Sequence, residues 1–270
     1  MKNKTLGMAA LLLILSPFAL AQETEWKTLN EEVLSLIRQG NSDRAVMAAK
    51  KALQIAEQTE GPDHPDVATS LNNLALLYKT QGHYAQSEPL YKRSLAIKEK
   101  ALGPDHPAVA TSLNNLGGLY DSQGRYAQAE QLFQRSLEIR EKALGPDHPS
   151  VATSLDNLVG LYKAQGRYAQ AEPLYLRSLA IKEKALGPDH PDVATSLNNL
   201  ALLYKTQGKY AQAEPLYKRS LAIKEKVFGP DHPSVATSLS NLALLYKETG
   251  RKKEAAELEE RAAAIRAIKR

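Results

Sequence analysis

Cysteine is absent from the chain's 270 residues. That absence removes disulfides, thiolate nucleophiles, cysteine-ligated metals and a lipid-modified N-terminal cysteine together, while an oxidising compartment stays permitted. Excess charge of one sign is also scarce. Lys and Arg number 35 against 30 Asp and Glu, and two of the resulting +5 charges, Lys2 and Lys4, sit in a leader-like N-terminus, leaving +3 beyond it. So small an excess points away from nucleic acid and from an anionic membrane as partner. No long apolar run follows residue 21, so no integral membrane segment is expected there.

Before residue 21 the composition changes. "MKNKTLGMAALLLILSPFALAQ" has two lysines, an apolar run from Leu6 to Leu15, a Ser16-Pro17 break, and then Ala19-Leu20-Ala21. This is the order of a signal peptide, with cleavage expected after Ala21 and an exported, periplasmic or secreted product. An uncleaved anchor is the competing reading, but the run is shorter than the ~20 residues a spanning helix needs, and Pro17 interrupts it.

The rest of the chain repeats. GPDHP begins at Gly61, Gly103, Gly145, Gly187 and Gly229, a constant step of 42 residues, and residues 61–102 and 187–228 differ at only four positions. Within a unit, Val67, Leu71, Leu74, Ala75 and Tyr78 fall on one helical face. After Gly82 a second helical series runs through Tyr84, Leu90, Tyr91 and Leu95. Strands would alternate by twos, so each unit is a helical hairpin and a β-propeller blade is excluded. Gly82 and its repeats should close the first helix in a left-handed conformation. In the link, Gly103 should cap the second helix, Pro104 should stop it, Asp105 should be N-cap of the next helix, and Pro107 should lie in its first turn.

The Asp-His pairs in these links could be chemical rather than structural. Equivalent residues of stacked units are separated by a helix packing distance of ~8–10 Å, whereas ligands of one metal each lie ~2 Å from it. One His and one Asp per link do not complete a tetrahedral site, and no Ser or Cys recurs beside them as a nucleophile with a supporting base. The links therefore read as punctuation, with no cofactor, metal or catalytic residue expected.

Asn73-Leu74-Ala75, Tyr78, Gly82, Tyr84, Ser87, Tyr91 and Ser94-Leu95 together resemble the tetratricopeptide repeat. The 42-residue length, the "NNLALLY" helix and the "LGPDHP" link resemble its kinesin light chain type. The resemblance implies an all-α, right-handed superhelical α-solenoid of about six stacked helix-turn-helix hairpins. The expected divisions are the signal peptide at 1–21, a divergent capping hairpin at 22–60, four near-identical units at 61–228, and a last unit with its capping helix at 229–270. Both end units depart from the pattern: Leu36, Ser42 and Ala49 stand at aromatic or motif positions in the first, and Lys252, Glu259 and Ala262 in the last. Polar, smaller residues are expected where one side of a hairpin meets water.

In the family, first helices line a concave surface that grips an extended peptide. Leu77, Leu119, Leu161, Leu203 and Leu245 never vary and should be buried, whereas Leu76, Gly118, Gly160, Leu202 and Leu244 change size as an open groove tolerates. The same face is expected to present asparagines, at Asn72, Asn73, Asn114, Asn115, Asn157, Asn198, Asn199 and Asn241, and lysines at Lys79, Lys163, Lys205 and Lys247, interrupted by Asp121. Asparagine amides can both donate to and accept from a peptide backbone; equally, they can bond neighbouring helices and only organise the stack. The lysines suggest an acidic ligand, or else a solvated face.

These readings favour a non-enzymatic scaffold, expected as a monomer, that binds a partner protein or extended peptide in its groove. A self-associating structural repeat protein and a metal-dependent protein built on the Asp-His links are the alternatives. A motor-associated role known for some relatives is not implied for an exported chain.

Overall fold

The computed structural model describes residues 17–268, which form twelve α-helices and no strand. The leader expected over residues 1–21 lies outside the described residues as far as residue 16, and its remainder opens the first helix. The helices fall into two compact units that divide between Pro104 and Asp105. One unit holds α1 (Pro17–Arg38), α2 (Ser42–Glu60), α3 (Pro65–Thr80) and α4 (Tyr84–Leu102). The other holds α5 (Pro107–Ser122), α6 (Tyr126–Leu144), α7 (Pro149–Ala164), α8 (Tyr168–Leu186), α9 (Pro191–Thr206), α10 (Tyr210–Phe228), α11 (Pro233–Glu248) and α12 (Lys252–Ala267). Helices pack as consecutive hairpins, and within each unit a second helix also packs on the first helix of the next hairpin. Six helical hairpins match the sequence period.

Turn chemistry sets where each helix stops. At the end of α3, Gly82 has φ 77°, its N–H reaches Lys79 O at 3.0 Å, and His83 N–H reaches Tyr78 O at 2.8 Å. That pair of bonds satisfies two carbonyls the helix end would leave bare, and it needs a residue that tolerates positive φ. Gly103 also has positive φ, but with φ 87° and ψ 155° it is extended rather than left-handed helical. This glycine-only conformation turns the chain out of α4.

One expected cap moves by a residue. The N-cap of α5 is His106, not Asp105: its Nδ1 accepts from Ala108 N–H at 3.1 Å. The same bond recurs at His64, His148, His190 and His232. Proline holds the first helical position, so the residue just before it becomes the cap and its side chain meets the second N–H of the helix. Asp105 lies one step further out and pairs with Lys142 at the end of α6 at 2.6 Å; Asp63–Lys100, Asp147–Lys184 and Asp189–Lys226 repeat this bridge. These bridges are exposed and contribute little to stability. We expect His148→Ala to cost about 1 kcal/mol and His148→Asn, an equal or better cap, to cost nothing. Paired thermal melts would check the ranking.

Arginines fasten the links as well. Arg177, on α8, pairs with Glu141 on α6 and donates to Pro146 O in the link at 3.1 Å. Arg93 treats Glu57 and Pro62 in the same way, and Arg219 treats Glu183 and Pro188. GPDHP is thereby held at both ends, by a cap inside and a cation outside.

Apolar burial closes the hairpins, and in the middle ones a serine on the second helix adds a bond to the first. On α7, Val151, Ala152, Leu155, Leu158, Val159, Leu161 and Tyr162 are buried. Ser94, Ser136 and Ser220 on the second helices donate to Ala68, Ala110 and Ala194 carbonyls at 2.6, 2.9 and 2.7 Å. A small side chain is required there because the two backbones approach closely. Helices α4, α8 and α10 run unbroken through Pro89, Pro173 and Pro215.

Candidate peptide-binding face

The first helices have two sharply different rows. Leu77, Leu119, Leu161, Leu203 and Leu245 are buried, as expected from their constancy. One residue earlier, Leu76, Leu202 and Leu244 stand 37%, 41% and 47% exposed, and Gly160 is open as well. In the second unit, Leu202 and Leu244 are thus apolar side chains left in water one residue from a buried row.

The asparagines do not act as one ladder. Asn73 donates to Asn30 Oδ1 at 2.9 Å in the first unit, and Asn241 donates to Asn198 Oδ1 at 2.9 Å in the second. These amides join neighbouring hairpins. Asn114 is buried and donates to Ser154 Oγ at 3.2 Å, which takes it off the open face. Asn72, Asn115, Asn157 and Asn199 are half-buried on their helices. The lysine row is mixed too: Lys205 pairs with Glu248 at 2.7 Å and Lys247 with Glu259 at 2.6 Å, whereas the Lys163 ammonium is partly desolvated and meets no carboxylate among the described residues. Lys79 is half-buried.

A second polar layer lies beneath this face and was not legible in the sequence. Ser154 and Ser238 are buried on α7 and α11, and each meets a cation from the preceding second helix. Arg140 Nη1 donates to Ser154 Oγ at 3.0 Å, and Lys224 Nζ donates to Ser238 Oγ at 2.9 Å. Lys182 Nζ reaches Ser196 Oγ at 3.0 Å and, alone among these three cations, meets a carboxylate, Asp156, at 2.6 Å. Burial pushes Arg140 and Lys224 below their ordinary pKa values. In the first unit the buried Ser70 is met by a neutral donor, Trp26 Nε1 at 2.8 Å. The only sequence signal was a constant serine after each threonine, and lysines at these positions look like any solvated face.

At the hairpin turns a glutamate binds the following hairpin. Glu130 accepts from Tyr162 O–H at 2.7 Å and from both terminal nitrogens of Arg167, whose guanidinium lies 4.3 Å from the Tyr162 ring. Glu214 accepts from Tyr246 O–H at 3.0 Å and from Arg251 Nη1 at 2.9 Å, while Arg251 Nη2 turns to Glu254; hydrogen bonds from Lys218, Arg251 and Tyr246 pull the Glu214 pKa down to about 2. A carboxylate held below its ordinary 4.5 contributes stability that is fully present above 4.5 and is lost as pH falls through about 2. A denaturation series across that window should show the decline, and Glu214→Gln should make it shallower.

The family model of the tetratricopeptide repeat matches residues 27–100, 84–142, 122–184, 151–226 and 206–267, together nearly the whole described chain. The chain belongs to that family. Among solved structures, a Podosopora anserina protein of nearly identical TPR-like repeats, assigned to kinesin light chain, is 32% identical with a TM-score of 0.68, covering 76% of this chain and 97% of its own. BtubC (BKLC) of P. vanneervenii is 25% identical with a TM-score of 0.71, covering 88% and 91%. The kinesin-light-chain-like type is thereby shown for these tetratricopeptide units. PilF of Pseudomonas aeruginosa, 22% identical with a TM-score of 0.61 over 88% and 90%, shares the fold alone. No curated protein matches the sequence.

In these tetratricopeptide units the link histidines act as caps, with Nδ1 committed to a backbone N–H. Among the described residues no group of three or more His, Cys, Asp or Glu is placed to hold a metal ion, and no helix is long and apolar enough to cross a membrane.

Proposed function

We propose that this chain is a non-catalytic scaffold that holds an extended segment of a partner protein along the open row of its first helices, and that it works outside the cytoplasm after cleavage at Ala21. The observation that carries the reading is the exposed row itself. Leu202 and Leu244 are kept in water one residue away from Leu203 and Leu245, which are fully buried. Such a row costs solubility unless something covers it. Around it stand threonines and half-buried asparagines able to bond a peptide backbone, the usual division of labour between apolar anchors and main-chain bonds.

The test is recovery of a partner from envelope extract on immobilised mature chain. Leu202→Ser with Leu244→Ser should leave the fold intact, since exposed substitutions shift stability by only about 0.5 kcal/mol, and should sharply reduce recovery; unchanged recovery would overturn the reading. Export is tested separately: the N-terminus of the natural product should be Gln22, and intact Met1 would refute the cleavage. The shortened chain keeps the bond from Thr59 Oγ1 to Gln22 Oε1 at 3.1 Å.

A further inference from the structure

The units are near copies, so a junction that departs from the others is informative. The junction between the α7–α8 and α9–α10 hairpins departs at three points. On the open row it has Gly160 where the next two units have Leu202 and Leu244, and a Cβ on Gly160 would meet nothing within 4 Å. Where the last junction is tied by Asn241 to Asn198, the acceptor position here is Asp156, whose oxygens are taken by Ser178 Oγ and Lys182 Nζ, both at 2.6 Å. Asn199 is thus left out of the ladder and lines the same space as Tyr175 instead. Finally, Thr206 stands where Glu248 answers Lys205 one unit later, so Lys163 has no counter-charge.

The result is a cavity of ≈ 400 Å³ between α7, α8 and α9. Helices α5 and α7 touch, as do α9 and α11, while α7 and α9 approach less closely. The volume suits one side chain with its adjoining backbone. Its charges are not equivalent: Asp156 and Lys182 neutralise each other, and Asp192 stands at the mouth, 68% exposed beside His190 at 3.8 Å. Lys163 alone is both partly desolvated, with its pKa pushed down by burial, and unanswered. Glycine alone does not create such a site, because the unit with Gly118 has Asp121 at the lysine position.

We propose that this cavity is the specificity pocket of the groove and takes one carboxylate side chain, Asp or Glu, of the bound segment, with Lys163 Nζ as counter-charge and the Asn199 amide as second donor. The inference rests on the scaffold reading. A carboxylate restores to Lys163 what burial removed, while an isosteric amide leaves the cation unneutralised, so the pocket distinguishes glutamate from glutamine by charge.

The test titrates the mature chain with N-acetyl-glutamate amide and, separately, N-acetyl-glutamine amide, following the backbone amide signals of Gly160 and Asn199 by NMR. The expected result is saturable binding of the glutamyl probe, at least roughly tenfold tighter than the glutaminyl probe, as for one charge-assisted bond. Lys163→Gln should erase the preference. Gly160→Leu should abolish both responses while raising thermal stability, since leucine is a better helix residue than glycine, so loss of binding is not loss of fold. Equal response to the two probes, no response, or a response that survives Gly160→Leu would overturn the pocket. A partner recovered equally well by wild type and Gly160→Leu would sink the pocket and spare the scaffold; a probe that binds as expected where no partner is recovered would do the reverse.

Discussion

Replacing Leu155 by alanine is expected to cost about 3–5 kcal/mol, near the top of the range for a buried leucine. Leu155 is fully buried and packs with Val151, Ala152 and Ile181, with Leu137 and Leu174 against the same cluster. These side chains come from α6, α7 and α8, so the cavity would open where one hairpin meets the next and where no single helix can shift to fill it. In a stacked array each hairpin is supported mainly by its neighbours. The loss should therefore appear as early hydrogen exchange across α6 to α8 as well as a lower urea midpoint. Leu202→Ala, on the open row of α9, is the control and should stay within about 0.5 kcal/mol. If the two variants melt alike, the division of the first helix into a buried and an open row is wrong.

Ser154→Ala should cost about 2–4 kcal/mol, far more than the loss of one hydroxyl suggests. The Ser154 hydroxyl is fully occupied: it shares a bond with Ser136 Oγ at 3.0 Å and accepts from Asn114 at 3.2 Å and Arg140 at 3.0 Å. Because Ser136 itself donates to Ala110 O, the shared proton belongs to Ser154. Alanine leaves the buried Asn114 amide with no acceptor, while Asn114 Oδ1 already lacks a partner. Arg140 keeps Ser150 O at 2.8 Å and Thr111 Oγ1 at 3.2 Å, but no carboxylate meets it. Adding Arg140→Met should therefore recover part of the loss, since a buried cation without an anion is costly to keep. Chemical denaturation of the two single variants and the double variant gives the coupling; strict additivity would show that Ser154 does not hold the arginine.

Much of the fold is legible in the residues themselves. The positions of Leu71 and Leu74 on one helical face, Gly82 beyond the helix end, and the proline pair in GPDHP all act within a few residues, and local backbone geometry answers to local sequence. The cap shifted from Asp105 to His106 because both lie close to a proline, and only the start of the helix decides which side chain meets its free N–H. The roles of the asparagines were not legible: Asn73 and Asn241 tie hairpins, Asn114 is buried, and Asn199 is left aside, although their neighbours in sequence are almost the same.

The sequence by itself determined the helices, their ends, the hairpin period and the buried row of leucines, because periodic burial and turn chemistry are written in adjacent residues. Only the tertiary structure decided which of the repeated polar groups are spent between hairpins and which remain open. That choice depends on the side chain presented by the next hairpin about 42 residues away, so Lys205 and Lys163, alike in sequence position, are paired in one place and bare in the other.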